Sequence, residues 1–206
     1  MDHYARWVQR KEKSCTREQM KAHLKHCTPL ADYKKGRQVR VHDRMCERPF
    51  SYTLAAAPGE GCRIPGKFTP KYTPAQMLAK GIFGGKYLND CMDEFPREWF
   101  EAALEAGKLS PSGRDFRLNH YGTKSGQPLA TWRSKRWLHG GDERGWFQWY
   151  CRYYLGRREP EVDAIQMGRW RQFKRHLGQV RKHGGARPRQ RQALLQWAHD
   201  DRVNAP

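Results

Sequence analysis

Between residues 164 and 199 the sequence holds nine Lys and Arg and no Asp or Glu at all. A helix face that meets only water usually mixes signs to gain local ion pairs, so this want of acid speaks against a merely solvated surface. Long apolar runs are missing too. No window approaches the roughly 18 apolar residues of a membrane span, and the opening MDHYARWVQRKEK lacks the apolar core of an export signal. A soluble protein of the cytoplasm is the expectation. The six cysteines are then expected as reduced thiols, buried or metal-bound, not as disulfides. Neither alternating strand patterns nor a repeat of fixed period is evident, although the loop GRDFRLNHYGTKSG suits a short hairpin.

What is present is positive charge and ring surface. The 206-residue chain carries 40 Lys and Arg against 21 Asp and Glu, a formal charge of +19. Self-repulsion on that scale opposes a compact state unless a polyanion is close by, which makes nucleic acid, and duplex DNA first, the expected partner. Eight Trp, nine Tyr and eight Phe supply enough large apolar surface for a genuine core.

Residues 1–72 read as a basic, irregular extension with one helix around REQMKAHLKHC. Thr16 and Gln19 form its capping box, and Pro29 stops it. A Pro- and Gly-rich linker leads into residues 73–206, read as a helical core domain, so the fold expected is all-α. Thr73, Pro74 and Gly81 punctuate its first helix, and Pro96 and Gly107 its second. A third covers residues 127–137, and Asp142 caps a fourth that ends at Gly156. A fifth covers residues 163–184, and Pro188 opens the last.

The fifth helix places Met167, Trp170, Phe173, Leu177 and Val180 on one apolar stripe and Arg169, Lys174 and Arg175 on other faces. With Arg187, Arg189 and Arg191 at the start of the last helix, these make a candidate phosphate-contacting surface; a basic solvent face is the plainer alternative. Lys86, in the turn IFGGKY, joins the candidates, although its spacing is not that of a nucleotide-phosphate loop.

Acid is concentrated in NDCMDEFPREWFEAALE. Asp90, Asp93 and Glu94 precede a helix just after a glycine turn, where carboxylates bind a divalent metal, act as a general base or hold an amine, unless they simply cap the helix. His23 and Cys27, then His42 and Cys46, repeat a four-residue spacing, and two such arms supply four ligands for a structural zinc; unliganded residues are the alternative.

The strings GIFGGKYLNDCMDEFPREWF, RGWFQWYCRYYLGRR, QMGRWRQFKRH and RPRQRQALLQWA, in this order, resemble a family of small basic, aromatic-rich proteins of phages, bacteria, fungi and plants. The likeness covers residues 73–200. More broadly, size and basic character resemble the phage enzymes that hypermodify thymine, among them amino acid:DNA transferases that displace pyrophosphate from an activated 5-hydroxymethyluracil with an amino acid or polyamine. That resemblance implies a DNA-modifying transferase acting on a flipped base, with Asp90, Asp93 or Glu94 orienting the amine or binding a metal. The alternative is a noncatalytic DNA- or RNA-binding module, for which a zinc held by the His/Cys arms would be a stabilising element.

The stretch RGWFQWYCRYYLGRR divides by helical spacing. Trp146, Trp149, Tyr150 and Tyr153 share one face and are expected in the core, whereas Gln148, Arg152, Arg157 and Arg158 form a polar edge expected to touch nucleic acid.

Overall fold

The computed structural model describes residues 15–203, so the opening MDHYARWVQRKEK lies outside the described residues. Among the described residues, seven α-helices and a small hairpin run in the order α1 (Arg17–Leu24), β1 (Gln38–Val41), β2 (Phe50–Thr53), α2 (Pro74–Lys80), α3 (Arg97–Glu105), α4 (Leu129–Ser134), α5 (Trp146–Leu155), α6 (Pro160–His183) and α7 (Pro188–Gln196). The fold is therefore mostly helical but not purely so. No helix among the described residues is long and apolar enough to cross a membrane.

Local chemistry sets the clearest boundaries. The Thr16 and Thr73 hydroxyls accept from the backbone N–H of Gln19 and Gln76, whose side chains return the bond, so α1 and α2 each start on a complete capping box. Pro160 and Pro188 occupy first turns, where a missing N–H costs nothing. Elsewhere the expected bounds shift. α5 starts at Trp146 and not after Asp142, because Asp142 is drawn inside as an ion-pair partner. α4 is only six residues long.

The hairpin pairs Val39 with Tyr52 and Val41 with Phe50, antiparallel, and turns Val39, Val41 and Tyr52 inward. It lies in the stretch read as irregular. GRDFRLNHYGTKSG instead holds a 3-10 turn, Phe116–Leu118, whose Asp115 side chain accepts from the Arg117 N–H. Two four-residue strands are too short for alternation to stand out from loop sequence.

One large core runs through the molecule, and Met20, Leu24, Val41 and Leu54 belong to it together with Trp99, Trp149 and Leu195. The compositional boundary near residue 72 thus does not separate two cores. α5 is buried all round, as expected of a helix with aromatic groups on more than one face. Phe68, fully buried, meets Trp149, Tyr150, Tyr153 and Trp170 edge-on at 5.2–5.8 Å, the arrangement ring quadrupoles favour. Gly156 ends α5 at φ +117°, and a Cβ there would sit 2.0 Å from the Ala56 carbonyl oxygen. Its own carbonyl accepts from Ala55 and Ala56, which ties α5 to the segment after the hairpin.

Candidate nucleic-acid interface

The polar edge of α5 faces inward. Arg144, Gln148 and Arg152, spaced by four, aim at carboxylates brought from distant parts of the chain. Asp43 accepts from Arg144 Nε and Nη2, both at 2.7 Å, and from Gln148 Nε2 at 2.8 Å. Asp90 completes this cluster, 3.0 Å from Arg144 and 2.8 Å from Arg44. One turn on, Arg152 grips Glu94 through a two-pronged pair at 2.6 and 2.9 Å, and its third nitrogen reaches Asp142 at 2.9 Å and the Gly141 carbonyl. Arg157 closes the chain on Asp142 at 2.5 Å, and the Tyr52 hydroxyl donates to Glu94 at 3.2 Å.

Removing charges from water is costly, and these are held because each carboxylate meets a guanidinium in a fixed fork. Burial pushes the Asp43 carboxyl up, but hydrogen bonds and charge from Arg144 outweigh it, bringing its pKa from 3.8 down to about 2. For Arg152, burial opposes the charge and Glu94 more than restores it, so the guanidinium's pKa stands above its ordinary value.

These contacts correct the sequence assignment. Gln148, Arg152 and Arg157 are at most 2% exposed and are not surface groups. Arg158 is half-buried over the Tyr153 ring and donates to the Tyr153 and Glu60 carbonyls. Arg191 is buried, its guanidinium holding the carbonyls of Gly185, Ala186, Asp201 and Val203. Lys86, half-buried, donates to the Pro111 carbonyl at 3.4 Å, and burial lowers its pKa. Asp90 and Glu94 belong to the two arginine clusters, whereas Asp93 turns to His23 and Cys27, so the three carboxylates do not act on one point.

The concave surface lies elsewhere, between α4, α6 and α7. A bay of about 680 Å³, within the range of ligand pockets, is walled by Trp132, Trp137, Phe173 and Trp197. A narrower slot of about 150 Å³ continues from it past Trp132 and Trp197 to Phe83 and Phe147. Arg169, Arg175 and Arg189 line the bay, and Arg114, Lys124 and Arg144 line the slot; neither wall includes an Asp or Glu. Gln172, Gln190 and Gln196 add amides suited to the edges of bases.

The rings of the bay are stacked. Trp197 lies nearly parallel to Phe173 at 4.6 Å, to Trp146 at 4.9 Å and to Trp132 at 6.0 Å. Behind Phe173 the parallel series passes to His199 and then to buried Trp170. The stack therefore begins in the core, which fixes it, and ends on half-buried rings that face the cavity.

Arg169 shows how this wall treats charge. Its guanidinium donates to the Trp137 carbonyl, which anchors the Trp137 segment against α6, and no described carboxylate pairs with it. Burial alone lowers its pKa, with no anion to oppose the shift, although an arginine stays charged in any case. Lys174, Arg175 and Arg189 are exposed nearby, and Arg187 is half-buried with Nε donating to the Gly184 carbonyl. Of the sequence candidates, Arg169, Arg175 and Arg189 are brought together at the bay, with Lys174 on the same helix. Trp132, Trp137, Trp197, Arg114 and Lys124 were missed. Trp132, Trp137, Arg114 and Lys124 lie outside the two helices singled out, and Trp197 lies at the end of the last one, where only its basic start was read as a contact surface.

His199 supports the stack and makes it acid-sensitive. Its Nε2 lies 2.9 Å from the Trp170 carbonyl, so that nitrogen donates. Burial, helped by Lys174 and His176, lowers its pKa from 6.5 to about 4. The unfolded chain then binds the extra proton, so this contribution to stability is whole above about pH 6.5 and is lost as pH falls towards 4. At about 1.4 kcal/mol per unit the loss comes to about 3 kcal/mol. Urea unfolding at pH 7 and 4.5 checks it: His199→Phe is expected to flatten this part of the profile, and an unchanged slope contradicts a neutral His199.

The four-ligand zinc site expected from His23, Cys27, His42 and Cys46 is not assembled. His23 and Cys27 meet Asp93, whereas the Cys46 thiol donates to the Gly141 carbonyl at 3.8 Å, and neither His42 nor Cys46 joins that group. Two arms of equal spacing carry no information about where the arms point. No family model, curated protein or solved structure matches the chain.

Proposed function

We propose that the chain binds nucleic acid, laying the sugar–phosphate backbone along the basic side of α6 and α7 and receiving one unstacked base against Trp132, Trp197 and Phe173. The observation that carries this reading is the pairing of a stacked, cavity-facing set of rings with Arg169, Arg175 and Arg189 in a wall free of acid. Stacking accepts any base because every base has a flat face, and guanidinium groups supply the phosphate contacts. The base-modifying transferase implied by resemblance also takes a base from its stack. Its proposed carboxylates, however, pair with arginines and with His23 and line neither the bay nor the slot, so binding is the function proposed.

The test is the salt dependence of affinity for a single-stranded oligonucleotide. Arg175→Gln with Arg189→Gln removes two exposed cations and is expected to flatten the slope of log affinity against log salt by about 0.7 per lost phosphate contact. An unchanged slope places the backbone elsewhere.

A further inference from the structure

From the convergence of His23, Cys27 and Asp93 we infer that the chain holds a zinc ion between α1 and the 3-10 turn Met92–Glu94. His23 lies in the last turn of α1 and Cys27 three residues past the end of the helix at Leu24; both are buried, and both side chains reach Asp93. Asp93 arrives from a segment 66 residues further along the chain. His23 Nε2 lies 3.0 Å from Asp93 Oδ1, Cys27 Sγ lies 3.3 Å from that same oxygen, and the three donor atoms all fall within 4.8 Å of one another. Zinc with nitrogen, sulfur and oxygen ligands at about 2.0 to 2.3 Å has tetrahedral edges of about 3.3 to 3.6 Å, so the two contacts to Asp93 need to open by only a few tenths of an ångström, and the edge between His23 and Cys27, within 4.8 Å, is left for the ion to set.

The donor set fits zinc by chemistry as well as by span. A thiolate excludes magnesium and calcium, and an imidazole with a carboxylate suits a borderline metal. On binding, the Cys27 thiol gives its proton to solvent, and His23 coordinates as the neutral ring through Nε2 with its remaining proton on Nδ1. The Asp93 side chain is 28% exposed, which leaves a path for water to complete the coordination. The ion fastens α1 to the turn that also carries Glu94, the anchor of the Arg152 cluster. Its role is structural, and it stands apart from the aromatic bay.

Cobalt(II), added to chelator-treated full-length protein, is the probe. One equivalent is expected to bind with a thiolate-to-cobalt charge-transfer band and the intense visible bands of tetrahedral coordination. Cys27→Ser should abolish the charge-transfer band. Asp93→Asn, at a partly exposed position that tolerates the change, should weaken cobalt by more than about tenfold, the scale at which even outer-shell partners act. Cys46→Ser should alter neither. Failure of the wild-type protein to bind cobalt stoichiometrically overturns the site, and so does a band that survives Cys27→Ser or disappears in Cys46→Ser. If Cys27→Ser does not fold, the wild-type spectrum and the Asp93→Asn affinity decide the matter alone.

Discussion

Replacing Arg152 with methionine is expected to destabilise the protein by about 3–5 kcal/mol, the cost of leaving buried carboxylates without their cation. At about 2–4 °C per kcal/mol for a chain of this size, the melting temperature falls by roughly 6–20 °C. Glu94 loses its guanidinium and Asp142 keeps only Arg157, and neither carboxylate has access to water. Arg152→Lys keeps a charge but cannot reproduce the fork on Glu94, so it is expected to fall between. Arg175→Met, on the exposed side of α6, is expected to change stability by no more than about 0.5 kcal/mol. Thermal melts of the three variants check the ordering. Had Arg152 been a phosphate contact, its loss would leave the melt unchanged and weaken only nucleic-acid binding.

Trp132→Ala is expected to weaken binding of a single strand by about 5- to 150-fold, the equivalent of the about 1–3 kcal/mol that one base gains on an aromatic ring. Trp132 is the outermost ring of the series, half-buried, and it serves both the bay and the slot behind it. Trp132→Phe retains a flat face at the same place and should recover most of the affinity. Truncation also removes packing against Gly145, which holds φ +86° at the start of α5 and has the Trp132 ring beside it. The abasic comparison separates the two effects: a strand lacking bases should bind wild type and Trp132→Ala equally, because its phosphates meet the same arginines. Equal losses on both strands would instead mean that the substitution had disturbed the fold.

The parts of this architecture that were legible in the sequence are the ones set by near neighbours. Thr16 with Gln19 and Thr73 with Pro74 announce helix starts because a cap is closed within four residues. Trp146, Trp149, Tyr150 and Tyr153 were expected in the core from spacing alone, and all four are buried. Spacing also put Gln148 and Arg152 on one side of α5. It could not say that the side faces inward, because the groups that repay burial of Arg144 and Arg152 are Asp43 and Glu94, 101 and 58 residues away. Charge in a sequence is read as exposure until its partner is known. The bay was hidden for the same reason: Trp132, Phe173 and Trp197 come from three helical segments, and only tertiary packing lays their rings parallel. Asp93 was read with its neighbours Asp90 and Glu94, whereas a 3-10 turn sends it to α1.

The central claim is that a base, and not only a phosphate chain, is held by this protein. Its most direct test is the affinity of the wild-type protein for two oligonucleotides of equal length and charge, one ordinary and one abasic, at a fixed salt concentration near 0.1 M. The ordinary strand is expected to bind at least about fivefold tighter, with quenching of tryptophan fluorescence as the base meets Trp132 and Trp197. Equal affinity for the two strands, without a difference in quenching, would contradict it.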